Sequence, residues 1–150
     1  MIKFASCVAL AATLTVSSVV AVLGQSAPSI TLPDGVQWTA GTGPETGTQV
    51  AVLEGNPEKA GPYTVRLKIP AGAKFMPHSH QDVEHVTVLS GTLLVGLGDT
   101  FDQSKMKALP AGSFVVVPSG VHHYAMAQSD TVLQIHGTGP SSFDMVGASK

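Results

Sequence analysis

From Gly55 onwards the chain is cut by turn-forming clusters into short pieces of strand-like sequence. The cuts fall at Gly55-Asn56-Pro57, Pro70-Ala71-Gly72, Ser90-Gly91, Pro110-Ala111-Gly112 and Pro118-Ser119-Gly120. Between and beside them lie apolar or alternating runs: Gln49–Glu54, Tyr63–Ile69, Val83–Leu89, Thr92–Leu97, Ser113–Val117, Val121–Ala127 and Thr131–His136. Val65, Leu67 and Ile69 alternate with Thr64, Arg66 and Lys68, the period of a half-buried strand. Outside the N-terminus no segment keeps a helical period, and the chain reads as all-β. Short strands at this spacing point to an all-β sandwich or barrel. Ser90-Gly91 reads as a hairpin turn, and the mixed segment Gly98–Leu109 as a loop followed by a short strand. The lone Trp38 sits in a stretch punctuated by Pro28, Pro33, Pro44 and several glycines. That stretch reads as an irregular arm with one short edge segment at Val36–Trp38.

The first 24 residues follow another logic. Met1-Ile2-Lys3 and the apolar run to Leu23 read as a secretory signal peptide, with Gly24 offering a cleavage point before Gln25. The run is nearly long enough to span a bilayer, but Thr13, Thr15, Ser17 and Ser18 interrupt it and favour a leader over an anchor. The expected organisation is a leader over residues 1–24, an arm over 25–47, a barrel over 48–137 and a tail over 138–150. The location expected is secreted or periplasmic, with no stable membrane association after cleavage.

Charge and cysteine usage narrow the chemistry. Residues 25–150 carry seven basic and ten acidic side chains, a net −3. No basic patch stands out, which argues against nucleic acid as a partner. The only cysteine, Cys7, lies in the leader, so the remainder has no disulfide, no thiolate nucleophile and no sulfur ligand. Any metal site must use nitrogen and oxygen.

Such ligands are present. His78, His80 and Glu84 stand at i, i+2 and i+6, all of one parity, so on an extended strand they project from one face. Imidazole nitrogen and carboxylate oxygen suit a borderline divalent transition metal. A further ligand is available after the turn at Pro118–Gly120, where His122 and His123 are adjacent. Neighbours on a strand face opposite ways, so at most one of them looks inward, and spacing alone does not choose.

The pattern Gly72-x5-His78-x-His80-x3-Glu84-x6-Gly91 resembles the first motif of the cupin superfamily at every position. Gly112-x5-Pro118-x-Gly120-x2-His123 resembles the second, 20 residues further on. The Asn that often follows four residues after the histidine is replaced by Ala127. The resemblance covers about residues 48–137 and implies a single-domain jelly-roll barrel. It implies that His78, His80, Glu84 and His123 converge on one metal, drawn from manganese, iron, nickel, cobalt, copper and zinc. It also implies open coordination positions, hence a small-molecule enzyme, most commonly an oxygenase, with isomerase and decarboxylase as further options. The alternative is a periplasmic module that binds or senses a metal or a small ligand without turnover. Some metal-dependent anti-sigma regulators end in cupins of this kind, but a leader argues against transcriptional control. Small cupins often form homodimers, which makes a homodimer possible here.

The other residues near the motifs sort by parity. His85 and His122 should face outward. Gln134 and His136, two apart on the last strong strand, could line the pocket behind the ligands or relay a proton. Met76 shares the parity of His78 and should wall the pocket, with Phe75 and Tyr124 facing the other way. Phe101, Phe114 and Leu133 read as core. Asp82, Asp99 and Asp102 read as surface loop acids.

Overall fold

The computed structural model describes residues 27–42, Pro44 and 47–147. The chain divides into a unit Met1–Ile30, almost all of it outside the described residues, and a unit Thr31–Lys150 that carries every described strand. The leader read over residues 1–24 lies outside the described residues.

Among the described residues eleven strands build the second unit: β1 (Thr39–Ala40), β2 (Gln49–Glu54), β3 (Gly61–Ile69), β4 (Lys74–Ser79), β5 (Glu84–Ser90), β6 (Thr92–Leu97), β7 (Lys107–Pro110), β8 (Phe114–Val117), β9 (His123–Ala127), β10 (Thr131–Gly139) and β11 (Asp144–Met145). One sheet has the order β1-β2-β3-β10-β5-β8 and the other β11-β4-β9-β6-β7. Every pairing is antiparallel. The fold is all-β, a jelly roll.

The alternation in β3 does what period two requires. Tyr63, Val65, Leu67 and Ile69 are buried, whereas Lys68 is exposed. With Val86 and Val88 of β5 and Leu133 of β10 they meet Phe75 of β4, Leu93 of β6, and Ala125 and Ala127 of β9. The core therefore draws its inward side chains from both sheets.

Three local readings change. Ser90-Gly91 is not a hairpin: β5 pairs with β10 and β8, while β6 pairs with β7 and β9, so the chain crosses between sheets there. Gly91 has φ +77°, and a Cβ on it would stand 2.2 Å from the Asp130 carbonyl oxygen, so the crossing needs glycine. A turn signal specifies a reversal of direction and leaves the pairing partner open. Second, the edge segment of the arm is β1 at Thr39–Ala40, just after Val36–Trp38, and it pairs with β2. Lys68 Nζ lies 4.0 Å from the centre of the Trp38 ring. Third, the segment read as a tail contains β11, paired to β4 as Asp144 with Ser79 and Met145 with His78.

Candidate metal centre

β4 reaches the site through an irregularity. Its pairing with β9 shifts register between Phe75 and His78, and such a bulge resets which face a side chain takes. As a result Phe75 and His78 both face the interior and line one cavity, while Met76 is 46 % exposed. The parity expectation for Met76 and Phe75 is thereby reversed. Simple alternation fails across an inserted residue.

Past the bulge, His78 lies directly opposite His123 on the neighbouring strand β9, and their ring centroids are 4.2 Å apart. His80 follows at the end of β4, with its ring 4.9 Å from His78 and 5.2 Å from His123. One ring nitrogen of each histidine lies within 4.8 Å of the other two. Glu84 comes from the facing sheet, where it opens β5 with the inward parity of Val86 and Val88. Its Oε2 stands 3.3 Å from His80 Nε2. Both histidine assignments in the second motif agree with parity: His123 is buried, while His122 is exposed and paired with Asp99 at 2.6 Å.

Each of the three rings is held from behind by a carbonyl. His78 Nδ1 is 2.6 Å from the Met76 oxygen, His80 Nδ1 is 2.6 Å from the Ser142 oxygen, and His123 Nδ1 is 3.0 Å from the Val121 oxygen. A carbonyl only accepts, so Nδ1 must carry the proton and donate. In the neutral ring the lone pair is then on Nε2. Burial favours the neutral ring: it pushes the His78 pKa down to about 3 and lowers those of His80 and His123, outweighing the carbonyl bonds that oppose it. The consequence at His80 is specific. A neutral ring that donates to Ser142 presents a lone pair to a carboxylate oxygen 3.3 Å away. Two acceptors at that distance repel unless a proton or a metal cation lies between them, and a divalent cation can serve. The donor set fits a divalent metal: three imidazoles with Nδ1 committed elsewhere, and a carboxylate alongside.

These groups line a cavity of about 90 Å³ between the sheets. Among the described residues, every other side chain lining it is hydrocarbon, including Leu67, Val86, Val117, Leu133 and Ile135.

Gln134 and His136 lie outside this cavity. Their neighbours Leu133 and Ile135 line it, so alternation sends Gln134 and His136 to the outer face. There Gln134 Oε1 accepts from Arg66 Nε at 3.0 Å, and the His136 ring lies 5.3 Å from that of His85, its cross-strand partner. The reading of these two as pocket-lining groups is corrected on that ground. Phe114 is 57 % exposed and stacks on His85 instead of entering the core. Tyr124 faces away from the cavity and packs on Phe101.

Asp82, between His80 and Glu84, is no surface acid. It is buried, and its Oδ2 accepts from Tyr63 Oη at 2.7 Å. Two further groups escaped the sequence reading: Ser142, whose carbonyl holds His80, and Phe143, whose ring stacks on His78 at 3.8 Å with 13° between the planes. The one available signal was a single aromatic residue in a tail made mostly of small and polar residues.

A jelly roll with a three-histidine cluster facing its interior is the architecture of a cupin. Residues 26–142 match the ChrR cupin-like domain family, and the chain belongs to it. The match stops one residue short of Phe143. No curated protein matches the chain. Among solved structures it is similar to the polyketide cyclase RemF from Streptomyces resistomycificus, at 15 % identity over 83 % of this chain and 89 % of that one, TM-score 0.63. It is similar to an acetylacetone dioxygenase from Acinetobacter johnsonii, at 19 % identity over 85 % and 87 %, TM-score 0.62. KdgF from Halomonas is 22 % identical over 74 % of this chain and 95 % of its own, TM-score 0.59. At these identities the likeness is one of fold.

Proposed function

We propose that the protein holds one divalent transition metal on the Nε2 atoms of His78, His80 and His123 with Glu84 as a fourth ligand, and uses it to act on a small, largely apolar molecule. The observation that carries this is the facing of His80 Nε2 and Glu84 Oε2 at 3.3 Å while His80 Nδ1 is committed to a carbonyl. Bound there, a metal supplies a Lewis acid or a centre that activates oxygen.

The chain's own residues define what could bind beside it. Among the described residues no lysine or arginine lines the cavity, so an anionic ligand there has only the metal to neutralise it. A divalent ion with one carboxylate ligand has one positive charge left, which suits a monoanion such as an enolate that offers two oxygens. Sugars and polyols are disfavoured, because their hydroxyls would lose water bonds against Leu67, Val86 and Leu133 without replacement. The same wall excludes water from the bound ligand. Glu84 is the one carboxylate among the described residues that line the cavity. It is thus the group available to take a proton if it leaves the metal.

An oxygenase-like reaction is the form of enzyme we propose, with the fold likeness to an acetylacetone dioxygenase as a pointer. A second reading, a module that binds metal and a small ligand without turnover, is favoured by one observation. Apart from the histidine cluster and Glu84, no described residue lining the cavity has a side chain able to move a proton. Purified protein should contain metal by elemental analysis. Metal-dependent oxygen uptake with a panel of enols, catechols and thiols would establish the enzyme, and uptake with none of them would leave the binding module. The apolar stretch up to Leu23 supports export from the cytoplasm, and N-terminal sequencing of protein from the periplasm or medium would locate the cleavage.

A further inference from the structure

The C-terminal segment after β10 is built into the metal centre. Ser141 N donates to the Pro57 oxygen at 2.7 Å and Val146 N to the Pro77 oxygen at 2.9 Å, which fastens the segment on both sides of residues 142–145. Between these anchors the Ser142 carbonyl accepts from His80 Nδ1, and Ser142 Oγ accepts from Gln81 N at 2.9 Å and donates to Asp144 Oδ2 at 2.7 Å. Phe143 stands in the middle. Its ring lies parallel to His78 at 3.8 Å, edge-on to His80 at 5.4 Å, and 6.4 Å from Phe75. It also lines the cavity. One aromatic plane therefore touches two of the three histidines and closes the space beside them.

We infer that Phe143 is the specificity-determining wall of this site, setting how bulky a metal-bound ligand can be. Stacked on His78 and fixed by backbone bonds on either side, the ring has little freedom to yield to a larger ligand. Its removal leaves the three histidines and their carbonyl partners in place, because none of those bonds uses the Phe143 side chain. The effect of truncation should therefore fall on ligand size more than on the metal.

This inference rests on the metal reading above, and the test separates the two. The protein is titrated with Co²⁺ and its visible absorption followed. Acetohydroxamate and the bulkier benzohydroxamate, both monoanionic two-oxygen chelators, are then titrated into the loaded protein. The wild type is expected to bind acetohydroxamate at least about 10-fold more tightly than benzohydroxamate. In Phe143→Ala that preference should disappear, with Co²⁺ affinity changed by less than about 10-fold. Phe143→Leu keeps an apolar cover without the flat ring and should lie between, and it carries the test if the alanine variant does not fold. No Co²⁺ uptake by the wild type would overturn the metal reading and the wall with it. Normal Co²⁺ uptake with the wild-type size preference kept in a folded variant would overturn the wall alone.

Discussion

Removing one oxygen from Tyr63 should weaken both the fold and the metal centre. Tyr63 is 2 % exposed, and its hydroxyl donates to Asp82 Oδ2 at 2.7 Å. Burial raises the Tyr63 pKa above the ordinary phenol range, so the group stays a proton donor throughout the neutral region. Asp82 is 8 % exposed, and its Oδ1 has no hydrogen-bond partner among the described residues. In Tyr63→Phe the second oxygen loses its partner too, while the ring and its packing remain. A hydrogen bond to a buried charged group contributes about 1.5–3 kcal/mol, and leaving that group unsatisfied puts the cost at the upper end, about 2–3 kcal/mol. The same bond ties β3 to the turn between His80 and Glu84, so metal affinity should fall by about 10-fold. Urea unfolding followed by far-UV circular dichroism measures the first effect, and a Co²⁺ titration the second. Asp82→Asn closes a double-mutant cycle with a coupling of at least about 1 kcal/mol. A Tyr63→Phe cost below about 0.5 kcal/mol would refute the reasoning, since ordinary surface changes lie within that range.

Two further outcomes follow from the same geometry. A Cβ on Gly96 would stand 2.2 Å from the Tyr124 ring, which is fully buried. Gly96→Ala should therefore cost at least about 2 kcal/mol by overpacking, read as a lowered thermal midpoint. The metal-free protein should also lose stability as pH falls below about 6.5, where an unfolded histidine begins to take up a proton. Burial holds the His78 pKa at about 3 and lowers those of His80 and His123. Between pH 6.5 and about 3 the unfolded chain thus binds more protons, and stability rises with pH across that window. Above it these rings are neutral in both states and contribute no slope. Urea midpoints at pH 7 and pH 5 check this, and His78→Asn should flatten the difference.

The strand pieces and the ligand motif were legible because both are written in short-range periodicity. Val65, Leu67 and Ile69 announce an inward face, and the two motifs single out His78, His80, Glu84 and His123. What the sequence hides is whatever breaks or joins the periodicity. The bulge between Phe75 and His78 reversed the roles of Phe75 and Met76, and Pro77 is its one local mark, which does not say which side chains change face. The crossing at Gly91 sends β5 and β6 to different sheets, although its composition is that of a hairpin turn. Asp82 reads as a solvated loop acid until Tyr63, 19 residues away, supplies the donor that makes its burial tolerable. Gln134 and His136 share a face, but parity cannot say which face is inside, and Leu133 and Ile135 hold the inner one. Phe143 comes to the histidines by a strand pairing 67 residues apart in the chain, Met145 with His78, that no local pattern encodes.

The most direct test of the central claim is metal content. Wild type, His80→Ala and His85→Ala, purified in parallel and given the same divalent metal, should be analysed for bound metal per chain after exhaustive dialysis. His80 is buried in the cluster, whereas His85 lies on the outer face of β5 against His136 and Phe114. Loss of an interior ligand should reduce affinity by more than the about 10–100-fold typical of groups behind a ligand. The expected result is close to one metal per chain in wild type and His85→Ala, and almost none in His80→Ala. Metal retained in full by His80→Ala would contradict the assignment of the site.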